Sequence, residues 1–195
     1  MSIDIVKQLR EKTGVSIIQC KKALEEAGGD FDKALLILRK KGSDAASKKS
    51  DRALGSSAIT AYIHGTGNAG AMVELSSETD FVSKNEEFRA LARDIAMHIV
   101  AMKPGYVSIE EIPETEKARV IAFFEEEAVK EGKPENVRAK IVEGKLNNYF
   151  KETVLLEQPF VKDPEVTIKD LIHRAVQKFG ENIVLARFAR FDSTR

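Results

Sequence analysis

ELSSETDFVSK, residues 74–84, decides how the chain reads. An apolar alternation stops inside it and an amphipathic helical pattern begins just beyond it. Upstream, Ile59, Ala61 and Ile63 alternate with Thr60, Tyr62 and His64, the period of a strand. GTGNAG, residues 65–70, is a glycine-rich connection, and Ala71 to Ser76 alternates again with Val73 and Leu75 on one side. Downstream, Ser83-Lys84-Asn85-Glu86 has the S-x-x-E form of a capping box. Phe88, Leu91, Ala92, Ile95, Ile99 and Met102 then recur at helical spacing. The stretch is therefore the joint between an antiparallel hairpin and a helix. It is a polar bend that carries one large aromatic, Phe81, next to Asp80. A phenylalanine at such a joint is ordinarily core.

The rest of this body follows the same reading. Pro104-Gly105 ends the helix, and residues 106–113 form a short strand and a turn of helix. An acidic helix over 115–131 turns Val120, Ile121, Phe124 and Ala128 inward, and Gly132-Lys133-Pro134 breaks it. Another helix runs from about residue 135 to 150 with Val137, Ile141, Leu146 and Phe150 along it. Residues 155–160 are extended or turn. Thr167-x-x-Asp170 opens a last helix with Leu171, Ile172, Ala175, Val176 and Phe179 inward and Gly180 as its exit. Ile183 to Phe191 is a closing apolar strand. Strands and helices do not alternate regularly, so the expected class is α+β, a mostly antiparallel sheet packed with helices.

The first forty residues read as three short helices. Ser2 can cap the first, which Thr13-Gly14 ends; Ser16 caps the second, with Cys20, Ala23, Leu24 and Ala27 inward; Asp30 caps the third, with Phe31, Ala34, Leu35 and Leu38 inward. Gly28-Gly29 stops the second helix and Gly42 is the expected left-handed exit of the third. Residues 43–57 hold one large apolar residue, Leu54, and read as a linker or weakly anchored helix. The expected organisation is a three-helix module over 1–42, a linker over 43–57 and a body over 58–195.

Composition narrows the function classes. A chain of 195 residues with 43% hydrophobic and 32% charged residues is of ordinary globular type. Its formal charge is zero, split as +4 over residues 1–52 and −4 over the remainder. Nothing resembles the basic stripe of a nucleic-acid binder, so no direct nucleic-acid contact is expected. The single cysteine, Cys20, excludes an internal disulfide. The N-terminus has no signal-type apolar stretch, and no run approaches the ~20 apolar residues that span a bilayer. The expectation is a cytoplasmic protein with no membrane contact.

A search for chemistry returns little. His64, His98 and His173 lie far apart, without metal-ligand spacing. The glycine-rich loop joins two strands and lacks the spacing of a phosphate loop. Cys20 reads as a small buried apolar residue. Glu125-Glu126-Glu127 reads as a solvated helix face. No catalytic residue, metal or cofactor is expected, and the chain reads as a non-enzyme.

Two signatures add to this. LREKTGVSIIQCKKALEEAGGDFDKALLILRKKG, residues 9–42, resembles the N-terminal module of bacterial translation elongation factor Ts, and ELSSETDFVSKNEEF, residues 74–88, resembles that family's central signature. The similarity continues through AMHIVAMKPGYVS, KIVEGKLNNYFKE, LLEQPFVKD and GENIVLARFARF. One departure is Ser76, which stands where the family pattern has asparagine. The chain looks like a short form without the long coiled-coil insertion.

The resemblance implies a guanine-nucleotide exchange factor that binds elongation factor Tu, a GTPase, and promotes GDP release. It implies a ubiquitin-associated-like fold for the first module, docking through Leu9, Arg10, Gly14, Val15, Ser16, Ile17 and Ile18. It places Thr79, Asp80, Phe81 and Val82 at the partner, the ring entering near the nucleotide site and disturbing the hold on magnesium and phosphate. Short members are associated with homodimers. The alternative is a generic interaction protein with a helical docking module, no exchange activity and Phe81 in its core. Weaker rivals are an enzyme using His64 or Glu78 and an RNA-binding factor using the basic linker.

Overall fold

A computed structural model describes residues 3–65, 67–132 and 134–193. The proposed cap Ser2, and Thr66 and Lys133 of the two glycine-rich breaks, lie outside the described residues. The class is α+β. Three helices, α1 (Ile3–Thr13), α2 (Ile17–Glu26) and α3 (Phe31–Ser47), form the N-terminal unit and fit a ubiquitin-associated-like module. Their apolar stripes meet in a small core of Leu9, Val15, Cys20, Ala23, Leu24, Ala34 and Leu38. Ser16 and Asp30 cap α2 and α3 by accepting the backbone N–H groups of Gln19 and Lys33. Gly14 takes the left-handed conformation that turns the chain out of α1.

Gly42 does not end α3. The helix continues to Ser47, and Gly42 is a buried interior residue pressed against α8 (Ile168–Phe179). A glycine that looks like a helix stop is here a site of close approach between two helices. The segment 43–57 is correspondingly ordered: the last turn of α3, a run of turns, and then the start of β1 (Ser56–His64).

The body is built on three antiparallel strands in the order β1, β2 (Ala69–Ser77), β5 (Ile183–Asp192). The register pairs Ala58 with Leu75 and Tyr62 with Ala71; across β2, Leu75 faces Leu185, with a bulge between Glu74 and Leu75. One sheet face packs on α5 (Glu86–Met102). Val73, Leu75, Phe88, Ile95, Ile99, Ile172 and Leu185 are at the centre of that core. Thr167 forms the expected capping box with Asp170, each bonding the other's backbone N–H, and Gly180 is the left-handed exit of α8.

Four details differ from the sequence reading. Asn85, not Ser83, caps α5 by accepting the Glu87 N–H; Ser83 closes the single-turn helix α4 (Asp80–Ser83) and bonds Ser56. Met102 is exposed at the end of α5. Residues 106–108 are not a strand, since Tyr106 makes only an isolated parallel bridge to Val154. The helices α6 (Glu114–Lys130) and α7 (Glu135–Thr153) pack chiefly on each other, which leaves Ile121 and Val137 in part exposed. Residues 159–167 form a small separate hairpin of β3 (Pro159–Phe160) and β4 (Asp163–Thr167).

Candidate functional site

The bend between β2 and α5 is held from inside. Ser77, the last residue of β2, donates its hydroxyl to the Thr79 carbonyl at 2.9 Å. The N–H groups of Ser83 and Lys84 then return to the carbonyls of Thr79 and Asp80, which makes the single turn of α4. Successive side chains of a helical turn leave the axis about 100° apart, enough to put one in the core and the next in water. Val82 is buried in the core of the body, while Phe81 is 86% exposed. A Phe ring left in water forgoes about 1.5–3 kcal/mol that full burial would supply. Asp80 is exposed beside it, and its carboxyl is held below the ordinary range by a 2.7 Å bond from Lys84. Ser76, the departure from the family pattern, is buried and bonds the Ser57 hydroxyl at 2.9 Å across the strand pair.

The bend is also held from outside, by residues the sequence reading did not assign to the site. Glu181, just past α8, accepts the Thr79 N–H at 3.0 Å and the Thr79 hydroxyl at 2.5 Å. Glu78 accepts the Asn182 N–H at 2.6 Å and pairs with Arg52 at 3.2 Å. Those two partners, the Asn182 N–H first, hold the Glu78 carboxyl below its usual range. The Asn182 side chain reaches the carbonyls of Ser50 and Arg52. The only sequence sign of this was a polar doublet, Glu181-Asn182, between a helix-ending glycine and an apolar strand.

The residues expected to dock in the first module divide into two sets. Leu9 and Val15 are fully buried and form its core, so neither offers a contact surface. Gly14 and Ser16 shape the turn between α1 and α2. Arg10, Ile17 and Ile18 are exposed around that turn, Ile18 by 68%. Cys20 is buried with its thiol pushed up by burial, and it touches the Thr13 hydroxyl.

The histidines remain apart. His64 bonds Tyr62 near the hairpin tip, and His98 is buried against Gln158. His173 is half-buried on α8. Among the described residues, no group of three His, Cys, Asp or Glu side chains is placed to hold a metal ion. No helix among them is long and apolar enough to cross a membrane.

A mixed antiparallel body with a ubiquitin-associated-like module, carrying an exposed aromatic on a fixed bend, narrows the class of protein. Comparison with known proteins narrows it further. A family model described as Elongation factor TS matches residues 45–191. Elongation factor Ts of Carboxydothermus hydrogenoformans is 52% identical over 96% of this chain and 87% of its own length. The same-named proteins of Herpetosiphon aurantiacus and Coprothermobacter proteolyticus are 49% and 48% identical, over 98% of this chain and 97% of their own lengths. The chain belongs to the elongation factor Ts family and is a translation elongation factor.

Proposed function

We propose that this protein is a guanine-nucleotide exchange factor that binds elongation factor Tu and speeds GDP release during translation elongation. The observation that carries the reading is Phe81: a large apolar ring, 86% exposed, on a bend fixed by hydrogen bonds on both sides. A ring buried in the core would favour the generic interaction protein instead. Asp80 stands beside the ring as an anion. Thr79 and Val82 hold the bend to the rest of the body, one by its bonds to Glu181 and the other by packing.

The mechanism is linkage. A factor that binds the nucleotide-free GTPase more tightly than the GDP-bound one must lower GDP affinity by the same factor. Loosening the nucleotide 10⁴-fold takes about 5.5 kcal/mol of differential binding. A few anchors within an interface of about 1,600 Å² can supply that. Residues 1–42 dock in this reading, through the exposed Arg10, Ile17 and Ile18. Residues 43–57 carry the module to the body, and residues 58–195 present the wedge. The factor forms no covalent intermediate and uses no cofactor, works in the cytoplasm and makes no direct contact with nucleic acid.

The same reading makes the protein a homodimer. Support comes from the sheet face turned away from α5, which exposes Ile59, Ile63, Met72 and Phe191. A two-fold pair would bury one such face against its copy.

The test is release of labelled GDP from purified elongation factor Tu, with this protein present at about one part in a hundred, since a recycling factor acts far below stoichiometry. Each factor molecule is expected to discharge many GTPase molecules. A rate no faster than spontaneous release removes the proposal.

A further inference from the structure

Phe81 has one neighbour in the core, Val82, and its ring lies in water. Its direction is therefore set by the backbone of the bend. The internal bonds of α4 fix the turn itself, and Val82 in the core and Ser83 on Ser56 hold its far side, so what remains to be held is the entry to the turn at residues 78 and 79. Those two residues are where the outside bonds attach. Thr79 stands at the N-cap position of α4, yet its side chain makes no capping bond. The hydroxyl and the N–H of Thr79 both point to one carboxylate, Glu181. On the adjacent residue, the Glu78 carboxylate accepts the N–H of Asn182 and a bond from Arg52. Gly55 presses on the same spot: a Cβ there would come within 2.7 Å of the Glu78 carbonyl oxygen. The result is a reciprocal staple, residues 78–79 against 181–182.

We propose that Glu181 and Glu78 are positioning residues, which aim Phe81 by clamping the bend to the turn between α8 and β5. The inference rests on the exchange reading for its consequence but not for its geometry. Neither carboxylate is itself the wedge. Each is engaged within the chain: Glu181 takes Thr79 on both of its oxygens, and Glu78 takes Asn182 and Arg52 on its Oε1. A bend held at two points meets its partner already in the bound orientation. A bend loose at its entry still lets the docking module bind, but it delivers the ring to the GTPase in the right pose only part of the time.

The experiment compares Glu181→Ala, Glu181→Gln and Phe81→Ala in catalysed GDP release over a range of GTPase concentrations. Glu181→Ala is expected to lower the maximal rate about 10-fold, the scale of a small misplacement of a working group, with half-saturation within about two-fold of wild type. Glu181→Gln should stay within about two-fold of wild type throughout. Its carbonyl still accepts the Thr79 N–H, and its amide can donate to the Thr79 hydroxyl. Thr79→Val, which removes only the hydroxyl from the clamp, should fall between the two. In the free protein, hydrogen exchange at the amides of Ser83 and Lys84 should quicken in Glu181→Ala and not in Glu181→Gln.

Glu181→Ala with wild-type maximal rate and unchanged amide protection overturns the proposal. So does an equal loss in the Ala and Gln variants, which would make the carboxylate charge itself the partner contact. If wild type releases no GDP, the exchange reading fails; the amide-exchange comparison then still decides whether Glu181 clamps the bend.

Discussion

Gly42 of α3 and His173 of α8 meet backbone against backbone: a Cβ on residue 42 would stand 3.4 Å from the His173 carbonyl oxygen and 3.3 Å from Gln177 Oε1. This contact seats the N-terminal module on the body, with Arg39 adding a 2.8 Å bond to the Glu165 carbonyl. Gly42→Ala gains up to about 1 kcal/mol of helix propensity and loses a comparable amount to crowding, so it should be near neutral. Gly42→Leu should force the helices apart, at about 1–3 kcal/mol. Urea unfolding and small-angle scattering of the two variants check this. A leucine variant as compact and stable as the alanine one would contradict the packing described.

His98 predicts a pH dependence. The Val161 N–H donates to its Nδ1, so Nε2 carries the proton and donates to Gln158 Oε1 at 3.0 Å. Burial pushes the His98 pKa down, and that of His173 as well. A histidine whose folded pKa is depressed adds stability above its unfolded value, about 6.5, and that stability is lost as pH falls toward the folded pKa. Urea midpoints should therefore drop between about pH 7.5 and about pH 5.5. The drop should shrink in His98→Gln, because only His173 remains to supply it. An identical drop in the variant would show that His98 does not contribute.

Ile63 sits on the exposed sheet face, its side chain over Gly70 of the neighbouring strand. A charge in the middle of a buried two-fold interface is strongly unfavourable, whereas on a free surface it is tolerated. Ile63→Lys should convert a homodimer to a folded monomer in sedimentation at micromolar concentration. Reductant should change nothing, since Cys20 is buried inside the first module. A wild-type monomer at all micromolar concentrations would remove the dimer.

Ile17 and Ile18 are exposed at the start of α2, so replacing them leaves no cavity. Alanine at either should raise the half-saturating GTPase concentration about 5–30-fold, as for an anchor worth about 1–2 kcal/mol, and leave the maximal rate alone. Leu9→Ala should instead unfold the module, with a cavity cost of about 2–5 kcal/mol. Melting curves beside exchange titrations separate the two; unchanged half-saturation in both isoleucine variants would move docking elsewhere.

Much of this architecture was legible because local pattern and tertiary structure agree. The alternation on either side of GTGNAG became β1 and β2, and the stripe from Phe88 became the buried face of α5. The bend with its single ring was legible too, and so was the Thr167 capping box. Ambiguity arose where one residue type serves two ends. Glycine both stops helices and admits close neighbours, and only the presence of α8 decides for Gly42. Leu9, Val15, Ile17 and Ile18 are all apolar, and which of them face water follows from how three helices meet. Ser83 and Asn85 are both good caps, and Ser83 was already engaged with Ser56. The clamp of Glu181 on Thr79 joins residues remote in sequence, and the polar doublet Glu181-Asn182 marks only one side of it.

Phe81→Ala tests the central claim most directly, with thermal unfolding and catalysed GDP release measured on the same preparation. The ring is exposed, so its removal should leave stability within about 0.5 kcal/mol of wild type. Catalysed GDP release should slow roughly 30-fold, as for an anchor worth about 2 kcal/mol. A variant destabilised by about 3–5 kcal/mol, with exchange per folded molecule unchanged, would place the ring in the core and contradict the account.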